Sequence, residues 1–166
     1  MKDEPKLKPI HPDAIEAALG RAERYRLLNQ PGQAESICRD VLRLDHQNQR
    51  ALVLIILALT DQFSRPHGSP NLKTAREHVA GLRDEYQRLY YEALILERQS
   101  RALLQRGMAG AFAYDGFRQA MELYELAEPL RPAGNDDAIL RWNSCVRTIR
   151  KSNLEPRAEE AEPFLE

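Results

Sequence analysis

The stretch Gly32–Gln49, GQAESICRDVLRLDHQNQ, decides the fold because its order of side-chain sizes returns in Phe117–Asp136, FRQAMELYELAEPLRPAGND. Each begins with a small alanine (Ala34, Ala120), followed four residues later by a bulkier group (Cys38, Tyr124). Three residues beyond stands a small or β-branched side chain (Val41, Ala127), and a polar turn closes the segment. Spacings of three and four hold these positions on one helical face. Repetition on this scale points to stacked units and away from a single bundle.

The sequence on either side divides into helices joined by short turns. Asp13 and Glu16 form a D-x-x-E capping box, which predicts helix one from Asp13 through Leu28. Its apolar positions Ile15, Leu19, Ala22, Tyr25 and Leu28 share a face, and the helix stops at Asn29-Gln30-Pro31-Gly32. Pro31 opens helix two, which carries a wide stripe of Ala34, Ile37, Cys38, Val41, Leu42 and Leu44. Asn48 caps helix three, Gln49 to Phe63, which is apolar almost all round and so expects neighbours on several sides.

Ser64–Pro70, SRPHGSP, reads as a loop, and helix four is expected from Pro70 to Leu82. Asp84 and Gln87 start helix five, which continues to about Arg106. Gly107–Gly116, GMAGAFAYDG, reads as a small-residue connector, and helix six follows from Phe117 to the prolines Pro129 and Pro132. Asn135 caps helix seven. Asp136 and Asp137 fall in its first turn and Arg147, Arg150 and Lys151 in its last, the charge order that suits the helix dipole.

The segments Ala18-x2-Arg21-Ala22-x2-Tyr25 and Leu52-x2-Ile55-Ile56-x2-Leu59 precede second-helix patterns built on Ala34 and on Ala75-x3-Val79. With Pro132 as a closing proline, this order resembles the tetratricopeptide repeat, whose first helix reads W-x2-L-G-x2-Y and whose second reads A-x3-F and then P. His46 and Gln87 depart from it where proline is usual. In the third repeat either Ala93 or Glu97 takes the small-residue position, where Glu97 fits poorly. The resemblance implies an all-α, right-handed helical-hairpin solenoid of three repeats plus a C-terminal capping helix, covering residues 13–151. A flexible N-terminal segment, 1–12, and an acidic flexible tail, 152–166, would flank it. Ala34 to Ala75 spans 41 residues and Ala75 to Ala120 spans 45, against a 34-residue unit in the family. Insertions at Ser64–Pro70 and Gly107–Phe117, each between the two helices of its repeat, account for the excess.

Members of this family bind a partner's peptide or helix on the groove lined by their first helices. The resemblance assigns that lining to Glu16, Leu19, Glu23 and Arg26, then Arg50, Val53, Leu57 and Asp61, then Tyr91, Leu94 and Arg98. The apolar middle, Val53, Leu54 and Leu57, reads either as ordinary core or as a hydrophobic groove, and self-association is a third use for it. Some members grip a C-terminal carboxylate with Lys and Asn. Here Glu23 stands where Asn would be wanted, and no Lys occurs between Lys8 and Lys73, so no such clamp is expected.

Composition narrows the rest. Among 166 residues, 24 Lys and Arg meet 25 Asp and Glu for a net charge of −1, which argues against wrapping nucleic acid. Helix seven still carries a local basic patch with Trp142 beside it, more in keeping with a helix end packed on repeat three. The longest apolar run, Ala51–Leu59, has nine residues, well short of the roughly 20 needed to span a bilayer. A cytoplasmic location is the expectation, and Cys38 and Cys145 are expected to pack as core hydrophobes. His11, His46, His67 and His78 make no metal or catalytic spacing, and no phosphate loop or nucleophile elbow occurs. His67, in its loop, reads as a solvated turn residue or a ligand contact. The expectation is a cytoplasmic adaptor or scaffold, not an enzyme, with no cofactor and a protein or peptide partner. A chaperone for a secreted or assembling subunit, or an accessory subunit of an enzyme complex, is the alternative.

Overall fold

The helices run α1 (Ile15–Leu27), α2 (Pro31–Leu44), α3 (Gln49–Asp61), α4 (Leu72–Ala80), α5 (Glu85–Gln105), α6 (Gly110–Ala127) and α7 (Asp137–Lys151) in a computed structural model that describes residues 4–66, 71–108 and 110–158. No strand occurs among the described residues, so the chain is all-α there. Each helix packs on the next in chain order, and α1 also meets α3 while α3 meets α5.

Local chemistry explains most of the boundaries. Pro31 occupies the first turn of α2, where its missing N–H costs nothing. The side chains of Asn48 and Asp84 accept N–H groups of Ala51 and Tyr86 to open α3 and α5. At helix ends, Asn29, Gly107 and Asn153 adopt positive φ, and the following N–H reaches back to Tyr25, Leu103 and Ile149 carbonyls. That arrangement satisfies carbonyls the helix would otherwise leave open.

Three expectations need correction. Asp13 does not cap helix one. His11 Nδ1 accepts the Asp13 N–H at 3.2 Å and opens a short 3-10 turn, Pro12–Ala14, from which α1 continues. Helix four starts at Leu72 behind an Asn71 cap, and Pro70 with His67 lies outside the described residues. Gly107–Gly116 is not an inserted loop. Only residues 106–109 separate α5 from α6, and the extra length goes into helix: 21 residues in α5 and 18 in α6. The alanines of this stretch are good helix formers, and Gly116 lets α6 approach α5 closely, since a Cβ there would collide with Ser100 Oγ.

Two apolar clusters fill the interior. The first joins α1 to α4 with Ile95 and Ala102 of α5, and α3 supplies more of it than any other helix, including Leu52, Leu54, Ile55, Ile56 and Leu59. Each such fully buried side chain contributes about 1.5–3 kcal/mol, which is why a helix apolar all round belongs at the centre. The second joins α5, α6 and α7 around Phe117, Met121 and Tyr124. Ala34, Ala75 and Ala120, on which the repeat reading rests, have no exposed surface, and neither do Cys38 and Cys145.

The ends of the chain also pack. Ile10, in the segment expected to be flexible, lies on the first cluster. Residues 152–158, expected to belong to a flexible tail, return along α6. Leu154 joins the second cluster, and Arg157 binds Asp115 at 3.0 Å while standing over the Phe112 ring. Phe164 and Leu165 lie outside the described residues.

Candidate partner-binding face

Helix α1 touches α3 and α3 touches α5, and the charged residues expected to line a groove meet across these contacts. Arg50 of α3 binds Glu16 at 2.7 Å and Glu23 at 2.9 Å, both on α1. Arg50 and Glu16 are 34 residues apart in the chain. These three side chains are exposed, so the pairs add at most about 1 kcal/mol each and chiefly fix alignment.

Further along the face, Asp61 of α3 accepts from both neighbouring helices. Arg26 Nε reaches Asp61 Oδ2 at 2.7 Å, and Arg98 Nη1 reaches Oδ1 at 2.7 Å. Arg98 also donates to Thr60 Oγ1 at 2.7 Å and to the Leu57 carbonyl at 3.3 Å. The α3 end is thereby tied to α1 on one side and α5 on the other. Burial lowers the Arg98 pKa, Asp61 opposes that effect, and the like charges of Arg141 and Arg26 reinforce it.

The apolar members of the set divide. Leu19 and Leu94 are core residues with almost no exposed surface, so neither lines a groove. Leu19 belongs instead to the apolar stripe of α1 that packs into the first cluster. Val53, Leu57 and Tyr91 are half-buried and remain at the surface of the face. The middle is therefore less apolar than the sequence suggested, with charged pairs on both sides of a narrow apolar strip. Tyr91 packs edge-on against Tyr90, their ring centres 5.1 Å apart.

Sequence reasoning missed the centre of the second cluster. Glu97 is fully buried and lies between two arginines and a tyrosine. Arg141 of α7 binds it in a fork, Nη2 to Oε1 at 2.7 Å and Nε to Oε2 at 3.0 Å. Arg101 adds Nε to Oε1 at 2.9 Å, and the Tyr124 hydroxyl donates to Oε2 at 2.7 Å. Arg101 continues to Ser144 and Thr148, both at 2.8 Å, and joins α5 to α7. Burial and the adjoining Glu97 charge push the Tyr124 hydroxyl far up, so it remains a donor. A lone acid inside Ala93-Leu94-Ile95-Leu96-Glu97, with Arg101 one turn on, was the available signal. Arg141 is consequently no part of a free basic patch, and Trp142 donates to Glu125 at 3.0 Å while packing on the second cluster.

Cavities lie elsewhere. One, of about 440 Å³, is lined by Leu42 and Ile55 with Arg39, Arg43, Thr74, His78 and Leu7. None of the cavities described is lined by the residues expected in the groove. Burial lowers His78, with Arg39 acting in the same direction, and pushes the Cys38 and Cys145 thiols up to about 12. Among the described residues no group of His, Cys, Asp or Glu is placed to hold a metal ion, and no helix is long and apolar enough to cross a membrane. Comparison with known proteins finds no matching family model, no matching curated protein and no matching solved structure.

Proposed function

We propose that this chain is a tetratricopeptide-like interaction module: three helical hairpins and a capping helix, α7, stacked as a right-handed solenoid. The face of α1, α3 and α5 presents a docking surface to a segment of another protein. The observation that carries this reading is the ladder of contacts between successive first helices, Glu16 and Glu23 to Arg50, and Arg26 through Asp61 to Arg98. A ladder of that kind aligns three helices into one continuous surface, on which half-buried Val53, Leu57 and Tyr91 supply apolar contact. The full burial of Ala34, Ala75 and Ala120 supports the same reading, since small groups let paired helices approach closely.

The role is that of an adaptor or scaffold in the cytoplasm, acting through binding and without chemistry of its own. Affinity capture with the full chain, set beside Val53→Asp and Leu57→Asp variants that retain helical circular dichroism, tests it. A specific partner held by the parent chain and lost from the variants is the expected result. A partner retained by both folded variants contradicts the assignment of the face.

A further inference from the structure

Two carboxylates on or beneath this face are each shared by two arginines. Asp61 is held by Arg26 and Arg98, and Glu97 by Arg101 and Arg141. Four guanidinium charges thus meet two carboxylates, and the one further acid whose charge reaches Tyr90 and Tyr91, Asp137 of α7, makes no ion pair with these four among the described residues. The nearest exposed acids of α1, Glu16 and Glu23, are engaged by Arg50. All four arginines keep contact with solvent, with side-chain exposures from 21% to 33%.

Donors are left over as well as charge. Arg98 makes its three bonds through Nη1 alone, which leaves the N–H groups of Nε and Nη2 without acceptors among the described residues. The Tyr90 and Tyr91 hydroxyls likewise have no partner there, and since no buried polar side-chain atom is unsatisfied, they open to solvent. Burial and the repulsion of Arg141 and Arg26 outweigh the attraction of Asp61 and Glu97 at Arg98. An added negative charge at that point relieves the imbalance, and a carboxylate matches the planar fork of a guanidinium.

We propose that the α3–α5 part of the face docks an acidic protein segment, whose Asp or Glu side chains take the free donors of Arg98 beside Tyr90 and Tyr91. This rests on the reading of the first-helix face as a docking surface. It differs from a grip on a terminal carboxylate by Lys and Asn, which the sequence lacks at the expected positions. A protein segment suits the site better than a nucleic acid, because the surplus is local and the chain as a whole carries a net charge of −1.

Fluorescence anisotropy with the full chain tests the proposal, using a fluorescein-labelled Glu-rich peptide, its Gln-for-Glu counterpart and a single-stranded oligonucleotide. The Glu-rich peptide is expected to bind about tenfold or more tightly than the Gln counterpart. Arg26→Gln, which leaves Asp61 paired with Arg98, should weaken it several-fold. Arg43→Gln, the same charge change on an exposed residue of α2, should leave it unaltered. Equal weakening by both variants would reduce the effect to unspecific attraction and overturn the proposal. A Gln peptide or oligonucleotide bound as tightly as the Glu peptide, yet still weakened by Arg26→Gln, overturns the acidic partner and leaves the docking face standing. Binding insensitive to Arg26→Gln and to Leu57→Asp overturns both. Peptide binding that appears only after Glu159, Glu160 and Glu162 are changed to Gln, or only on dissociation of a dimer, identifies the chain's own tail or a second copy as occupant and also overturns it.

Discussion

Arg141 of α7 holds both oxygens of Glu97 of α5 across 44 residues of chain, and Glu97 has no exposed side-chain surface. Taking Arg141 away leaves the buried Glu97 charge with only Arg101 and the Tyr124 hydroxyl as partners, a loss of about 1–3 kcal/mol. Arg141→Gln should lower the urea midpoint by a corresponding amount. Arg157→Gln, which breaks the half-exposed pair with Asp115, should shift it by less than about 1 kcal/mol. Equal shifts would show that Glu97 is already hydrated.

Gly116 faces Ser100 so closely that Gly116→Ala forces the serine from its rotamer and breaks its bond to the Leu96 carbonyl at 2.9 Å. A destabilisation of about 1–3 kcal/mol follows. In the double variant Gly116→Ala with Ser100→Ala, the atom in conflict is gone, while Ala at position 116 favours helix over Gly by about 1 kcal/mol. Thermal unfolding of the double variant should match or exceed the parent. Additive losses would contradict the α5–α6 approach.

Caps distinguish what sequence reasoning reads well from what it does not. Asn48→Ala should cost about 1 kcal/mol, because Asn48 Oδ1 accepts the Ala51 N–H at 3.0 Å. Asp13→Ala should leave the unfolding midpoint unchanged, since His11 performs the capping there. Parallel thermal melts of the two variants check both expectations.

Helix positions at Pro31, Asn48 and Asp84 were legible because each signal is local, a fixed φ or a side chain reaching two or three residues along. Asp13 failed because a neighbouring acceptor, His11, competes for the same amide. The connector Gly107–Gly116 was misread because its glycines signal a turn locally, whereas Gly116 answers to a contact with Ser100, 16 positions earlier. The face was half legible. The ion pairs that join α1, α3 and α5 were no part of the sequence reading, and Leu19 stood both on the apolar face of helix one and among the groove residues, of which burial supports only the first. Glu97 was invisible as a centre because its partners Tyr124 and Arg141 lie 27 and 44 residues away.

Cys38 and Cys145 should resist chemistry in the folded chain. Burial raises both thiols from 9.0 to about 12, so the folded state holds these protons more tightly than the unfolded one. Their contribution to stability is complete below about pH 9 and is lost as the pH rises through about 12. A thiol reagent near pH 8 should label neither cysteine in the native protein and both after denaturation. Labelling of the native chain at the unfolded rate would contradict their burial.

The central claim, that α1, α3 and α5 form a docking face, is tested most directly by placing a photo-crosslinking amino acid at position 57 of α3 or at position 43 of α2 and irradiating the full chain with the Glu-rich peptide. Crosslinks from position 57, absent from position 43 and suppressed by Arg26→Gln, are the predicted result. Crosslinks from position 43 with none from position 57 would place binding on the opposite helices and contradict the account.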